Sequence, residues 1–232
     1  MADKETSSVV GAPQLDWLEK MKAKDRDYLQ KAYALSSPAE ARELYDEWAD
    51  TYDVDLDELD YAFPSNAANA LIEVLGKDKN IGDLRILDAG CGTGLVGAIL
   101  ASEHGAKHID GVDISPGMLK IARKTAAYED LAEVDLTKRI PKDDGTYDAV
   151  ICVGTLTEGH VGASVLDEFV RVVRKGGVVD ATVLTKIWES HGFKAKVQEL
   201  KDAGKVEVLS DKEVGLTKGK DTGGILLLLR KL

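Results

Sequence analysis

ILDAGCGTGLVGAIL, from Ile86 to Leu100, decides how the rest of the chain is read. An aliphatic run containing one acid, Asp88, leads into a turn in which Gly90, Gly92 and Gly94 alternate with Cys91 and Thr93. A second aliphatic run follows. The first run is short and continuous, as in a strand buried on both faces, and predicts a strand over Leu84–Ala89. The second predicts a helix over Val96–His104, with Gly105 past its end. Glycines at alternate positions supply the backbone angles of a tight turn and leave room for something to approach the backbone.

Downstream the pattern repeats. His108–Ile114 reads as the next strand, and Ser115-Pro116 caps a helix running to Lys124. Leu131–Leu136 is a weaker strand and Tyr147–Val153 a strong one. Ser164-x-x-Asp167 has cap spacing for a helix carrying Leu166, Phe169, Val170 and Val173 on one face. Gly176-Gly177 ends it, and Val178–Leu184 is a further strand. This alternation predicts an α/β fold: a doubly wound, mostly parallel sheet covered on both faces. After a helix over about 187–203, Lys205–Val214 and Gly224–Leu229 follow with no helix between them. A short loop joins antiparallel strands, whereas parallel neighbours need a long crossover. The sheet is expected to end in an antiparallel pair.

Upstream, Ser37-Pro38-Ala39-Glu40 has capping-box spacing with proline at the first helical position. Ala41, Leu44, Tyr45, Trp48, Ala49 and Tyr52 then recur at helical spacing. Pro64 opens another helix, 65–75, stopped by Gly76. Residues 1–75 are therefore expected to form a helical cap or lid, and 76–232 the alternating domain.

Composition narrows the class. Of 232 residues, 44% are hydrophobic, enough for a sizeable core. The longest aliphatic run, Ile225–Leu229, is far too short to span a bilayer. The opening MADKETSSVV has no signal-peptide apolar region. Cys91 and Cys152 make no disulfide framework and lack metal-ligand spacing. A soluble cytoplasmic protein without membrane contact is expected. The net charge is −11, and residues 1–60 hold 7 Lys/Arg against 16 Asp/Glu. Such a surface repels phosphate backbones, which disfavours nucleic acid as a partner.

In a doubly wound sheet, ligands bind where strand order reverses, at the carboxyl ends of the strands. The helix beginning near Leu95 points its N-terminus there. The next strand ends in Asp113, nineteen residues after Gly94. A carboxylate at that place accepts hydrogen bonds from two ribose hydroxyls, so the glycine turn reads as a nucleoside-cofactor site. Gly92-x-Gly94-x-x-Gly97 matches the dinucleotide fingerprint literally, which keeps a nicotinamide-dependent oxidoreductase as one reading. In that fingerprint, however, the first glycine directly follows the strand. Here Gly90 does so, its sixth position is Leu95, and Gly97 falls inside the helix. Asp88, just before the glycines, suits a cofactor carrying positive charge.

Asp88-Ala89-Gly90-Cys91-Gly92-Thr93-Gly94 resembles motif I of the class I S-adenosylmethionine-dependent methyltransferases. Gly111-Val112-Asp113-Ile114-Ser115-Pro116-Gly117-Met118-Leu119 resembles their ribose-binding motif. Asp135-Leu136 is similar to the adenine-flanking segment, and Tyr147-Asp148-Ala149-Val150 to the start of the fourth strand. Arg174-Lys175-Gly176-Gly177 stands where the family has proline before two glycines. Tyr45-Asp46-x-Trp48-Ala49-x-x-Tyr52-Asp53 and Gly154-Thr155-Leu156-Thr157-Glu158-Gly159-His160 resemble the methyltransferase-like family named for the Williams–Beuren syndrome region. The resemblance spans roughly residues 38–232 and implies a seven-stranded Rossmann-like sheet with an antiparallel last strand.

It also implies roles. S-adenosylmethionine would be the cofactor and S-adenosylhomocysteine the product. Gly90, Gly92 and Gly94, with Ala89, Cys91 and Thr93, would meet its amino-acid part, and Asp88 would orient the amino group. Asp113 would hold the ribose. Ile114 and Met118 would sandwich the adenine, Asp135 would accept from its amino group, and Leu136 and Val153 would line the site. Tyr45 and Tyr52 would contact the cofactor from the lid. Candidates for removing an acceptor's proton follow the fourth strand: Thr157, Glu158 and His160. His160 has the best ordinary pKa for that work; His191 is a weaker candidate. The asparagine-proline-proline-aromatic motif of enzymes that methylate amide or adenine nitrogen is absent. A small-molecule methyl acceptor is therefore expected. A non-catalytic cofactor-binding protein of the same fold is the alternative.

Overall fold

The computed structural model describes residues 23–76, 79–219 and 223–232, so the MADKETSSVV stretch lies outside the described residues. Seven strands form one sheet: β1 (Arg85–Ala89), β2 (His108–Asp113), β3 (Asp130–Glu133), β4 (Tyr147–Leu156), β5 (Val173–Leu184), β6 (Val206–Gly215) and β7 (Gly223–Lys231). Their order is β3-β2-β1-β4-β5-β7-β6. β1 to β5 pair in parallel, and β7 runs antiparallel to both neighbours. Strand order therefore reverses between β1 and β4, which opens a crevice at their carboxyl ends. This is the mostly parallel sheet with an antiparallel end that the alternation predicts.

Both faces are covered, which is why β1 reads as a continuous apolar run. Ile86 packs in the layer of α4 (Phe63–Leu75) and α5 (Leu95–His104), with Leu71, Val96 and Leu100. Leu87 and Ala89 point to the opposite layer of α7 (Val165–Val172) and α9 (Phe193–Asp202), with Phe169 and Leu200. A third cluster lies above the crevice. There α1 (Ala23–Ala32), α2 (Pro38–Trp48) and α3 (Tyr52–Asp57) bring together Leu29, Leu44, Trp48, Leu56 and Leu59. Among the described residues no helix is long and apolar enough to cross a membrane.

Several local expectations need correction. Tyr52 does not continue the helix of Tyr45 and Trp48; α2 stops at Trp48 and Tyr52 begins α3. The two pieces keep one aromatic face because Trp48 Nε1 donates to Asp55 Oδ2 at 2.6 Å across the break. β3 is shorter and earlier than 131–136, since Asp135 and Leu136 turn out of the sheet toward the crevice. Ser164 makes no side-chain cap; its backbone is already helical. Gly176-Gly177 does not end a helix. β5 begins at Val173, and the glycines sit at a register shift in its pairing with β4. The 187–203 helix is two pieces, α8 (Thr185–Trp188) and α9, separated at Gly192, whose φ of 78° is a left-handed conformation. Helix α4 falls inside the expected 1–75 cap, yet it packs on the sheet with Ala67 and Leu71 fully buried.

Candidate active site

A cleft with about 670 Å³ of empty space, part of it open to solvent, occupies the crevice at the carboxyl ends of β1, β2 and β4, under α2 and α3. Gly90 and Gly92 come from the turn after β1, Asp113 and Ile114 from the end of β2, and Met118 from α6 (Pro116–Ala122). Asp135 and Leu136 follow β3, Val153 lies on β4, Tyr45 and Tyr52 hang from the cap, and His160 closes one side. Among the described residues that line the cleft there is no lysine or arginine.

Asp113 is held from two sides. Its Oδ2 accepts from Gly92 N at 2.8 Å and its Oδ1 from Ser115 N at 2.9 Å. Burial pushes the carboxyl up, while these N–H groups and Ile114 N–H pull it back. Each oxygen keeps a lone pair for a further donor. Asp135 Oδ1 accepts from Thr137 N at 2.9 Å, and Lys138 lies 3.0 Å from Oδ2. Burial works against ionisation of Asp135, but Thr137 and Lys138 outweigh it and hold the pKa below the usual range.

A family model described as "Methyltransferase domain" matches residues 86–177. The human methyltransferase-like protein 27 is 34% identical over 188 residues, covering 79% of this chain and 75% of that protein. The chain belongs to the class I S-adenosylmethionine-dependent methyltransferases. The 18S rRNA (guanine-N(7))-methyltransferase of Bos taurus is 39% identical over 71 residues, 31% of this chain and 25% of that protein. Magnesium protoporphyrin IX methyltransferase from Synechocystis PCC 6803, solved with bound SAH, superposes with a TM-score of 0.54 at 19% identity. That superposition covers 75% of this chain and 86% of the other, and shows a shared fold. The cofactor of this methyltransferase is S-adenosylmethionine.

The structure divides the residues expected to touch the cofactor. Tyr45, Tyr52, Gly90, Gly92, Asp113, Ile114, Met118, Asp135, Leu136 and Val153 line the cleft. Asp88, Ala89, Cys91, Thr93 and Gly94 do not. Ala89 is core beneath the turn. Cys91 is buried, and burial pushes its thiol well up, which leaves it inert. Thr93 Oγ1 donates to Asp53 Oδ1 on α3.

Asp88 is only 1% exposed and is engaged elsewhere. Its Oδ2 accepts from Tyr128 Oη at 2.7 Å, and its Oδ1 is buried without a partner. Tyr128 also explains the glycines. A Cβ at Gly97 would collide with the Tyr128 ring, and one at Gly94 or Gly111 would lie 3.1 or 2.9 Å from it. A Cβ at Gly90 would collide with the Thr155 side chain. The third glycine of the literal dinucleotide match therefore makes room for a tyrosine.

The three catalytic candidates are brought together unequally. His160 Nδ1 lies 2.7 Å from the Glu158 carbonyl and 2.8 Å from Thr157 Oγ1. A carbonyl only accepts, so this nitrogen carries the hydrogen, an assignment made from its partners. Burial lowers the His160 pKa below 6.5, which keeps the ring neutral. Its Nε2 therefore presents a lone pair, which receives the Tyr45 hydroxyl at 2.9 Å. Thr157 and Glu158 orient the ring rather than face the cleft, and the Glu158 carboxylate is paired with Lys186 at 2.8 Å. His191 is exposed beside Ser190 on the turn between α8 and α9. Sequence reasoning missed Thr155, Gly154, Val134, Thr137, Val161, Pro38 and Ala41 on the wall. Only Gly154-Thr155, near the end of the strong strand β4, carried a readable signal.

Proposed function

We propose that this methyltransferase methylates a small-molecule acceptor within the capped cleft, with His160 as general base. The Tyr45–His160 hydrogen bond carries the reading: it sets the lone pair of a neutral imidazole against the cap, at the wall of the cofactor cleft. Bound S-adenosylmethionine supplies a methyl group made electrophilic by its cationic sulfur. The chain's residues hold that cofactor and manage the acceptor's proton. Asp113 takes the ribose hydroxyls, its two oxygens already aimed by Gly92 and Ser115. Ile114, Met118, Leu136 and Val153 flank the adenine with apolar surface, and Asp135 accepts from its amino group. Gly90 and Gly92 admit the amino-acid part, and Tyr45 and Tyr52 cover it.

His160 receives the acceptor's proton at Nε2 when Tyr45 yields that position. Positioning does the rest, since a sulfonium methyl needs little further activation. Two features support a small uncharged or cationic acceptor over nucleic acid: the described residues of the lining include no lysine or arginine, and the chain carries −11 overall. Incubation of the protein with cell extract and methyl-labelled S-adenosylmethionine tests this. Label in the small-molecule fraction, lost with His160→Gln, is expected. Label confined to RNA or protein would overturn the acceptor class.

A further inference from the structure

The cap repeats one dipeptide seven residues apart: Tyr45-Asp46 and Tyr52-Asp53. The tyrosines line the cleft, and the aspartates do something different. Asp46 Oδ1 accepts from Ser115 Oγ and, at 2.8 Å, from Gly117 N. Ser115 is fully buried; its backbone N–H donates to Asp113, and its Oγ accepts from Met118 N at 3.0 Å. Asp53 Oδ1 accepts from Thr93 Oγ1, between Gly92 and Gly94. One cap segment thus grips both walls of the cofactor cleft: the loop that aims Asp113, and the glycine turn. Gly117 records the same contact independently. A Cβ there would lie 3.0 Å from the Asp46 Cα and Oδ1 and 3.1 Å from its carbonyl oxygen, so a larger residue would push α2 and α6 apart by a few tenths of an ångström.

We infer that Asp46 and Asp53 are positioning residues that latch the cap onto the two cofactor-holding loops, and so set how long the cofactor stays. The inference rests on the reading of this cleft as the S-adenosylmethionine site. Each aspartate is next to the tyrosine it places, so closure of the cap over the cofactor and bracing of Asp113 and the glycine turn are one event. Neither carboxylate lines the cleft; each acts through Ser115, Gly117 or Thr93.

Dissociation of S-adenosylhomocysteine, followed by stopped flow on the full chain, tests the latch. Asp46→Ala and Asp53→Ala should each speed release at least about fivefold. Asp46→Asn keeps an accepting oxygen and should stay within about twofold of the parent. Gly117→Ala, whose Cβ would press on the Asp46 backbone and on its Oδ1, should follow Asp46→Ala, and Glu47→Ala, exposed on the same helix, should change nothing. Circular dichroism confirms that each variant is folded. Release rates equal to the parent in Asp46→Ala, Asp53→Ala and Gly117→Ala would overturn the latch and leave these contacts as packing. Failure of the parent to bind S-adenosylhomocysteine would instead overturn the cofactor reading on which the latch depends.

Discussion

Asp113 and His160 show how much a single residue can carry when its position is dictated by the fold. Asp113 ends β2 beside the crevice, and its two oxygens are already ordered by backbone N–H groups. Hydrogen bonds to a charged group contribute about 1.5–3 kcal/mol. Asp113→Ala should therefore weaken S-adenosylhomocysteine binding at least about tenfold by isothermal titration; unchanged affinity in the folded variant would remove its role. His160 makes a different prediction. Its pKa is held below 6.5 by burial, so the acid limb of turnover should have its midpoint below that value. The sign for stability agrees: the folded chain takes up its proton later than the unfolded chain, so this group's contribution is present above 6.5 and lost as pH falls. His160→Gln should reduce turnover about a hundredfold or more and leave cofactor affinity nearly intact. The place of both residues at the crevice was legible from the sequence, because Asp113 ends one strong strand and His160 follows another. Tyr45's bond to His160 was not, because it depends on which side chains meet across 115 residues of chain.

The glycine turn is the element in which sequence and structure differ most instructively. Its spacing located the crevice, but not what fills the space beside each glycine. Tyr128 stands alone in a short connection between α6 and β3, with no periodicity to mark it, yet its ring lies against Gly94, Gly97 and Gly111. The same ring's hydroxyl holds Asp88, and this has a measurable consequence. Burial pushes the Asp88 carboxyl up to about 7, with the Tyr128 bond working the other way. The folded chain then keeps a proton that an ordinary carboxylate releases near 4. Stability from this group is full at low pH and is lost as pH rises through about 7, at up to about 1.4 kcal/mol per pH unit in between. Asp180 on β5 is shifted in the same direction by burial alone. Asp88→Asn can still accept from Tyr128 but does not titrate. Thermal midpoints recorded from pH 4.5 to 7.5 should show the variant gaining on the parent as pH rises. A constant difference across that range would mean that Asp88 is ionised throughout.

At the scale of the whole molecule, we propose that the cap of α1 to α3 decides whether the cleft is a groove or a closed room. Its core is a third cluster, with Leu95 of α5 at its edge: Trp48 is 1% exposed, stacked on Tyr28 at 5.3 Å and edge-on to Tyr52 at 4.8 Å. The aromatic stripe read from the sequence thus splits by function. Trp48 packs, whereas Tyr45 and Tyr52 reach the cleft. Because α1 supplies Tyr28 and Leu29 to this cluster, a chain beginning at Ser37 loses part of the cap's core, and one beginning at Asp53 loses Tyr45, Trp48 and Tyr52 altogether. S-adenosylhomocysteine affinity should fall in that order, with the larger loss in the second truncation. A cap with a small core and few bonds to the sheet opens at lower free energy than the sheet itself. A ligand bound beneath it stabilises only the closed form, and lid closure of this kind excludes water and completes a site. Hydrogen–deuterium exchange of residues 38–62 should therefore slow when S-adenosylhomocysteine is added, together with residues 90–94, while the strands in the middle of the sheet stay as slow as before. Slowing at 90–94 alone would show a cap already closed without ligand, and Tyr45 and Tyr52 would then be fixed walls of the cleft rather than parts of a lid.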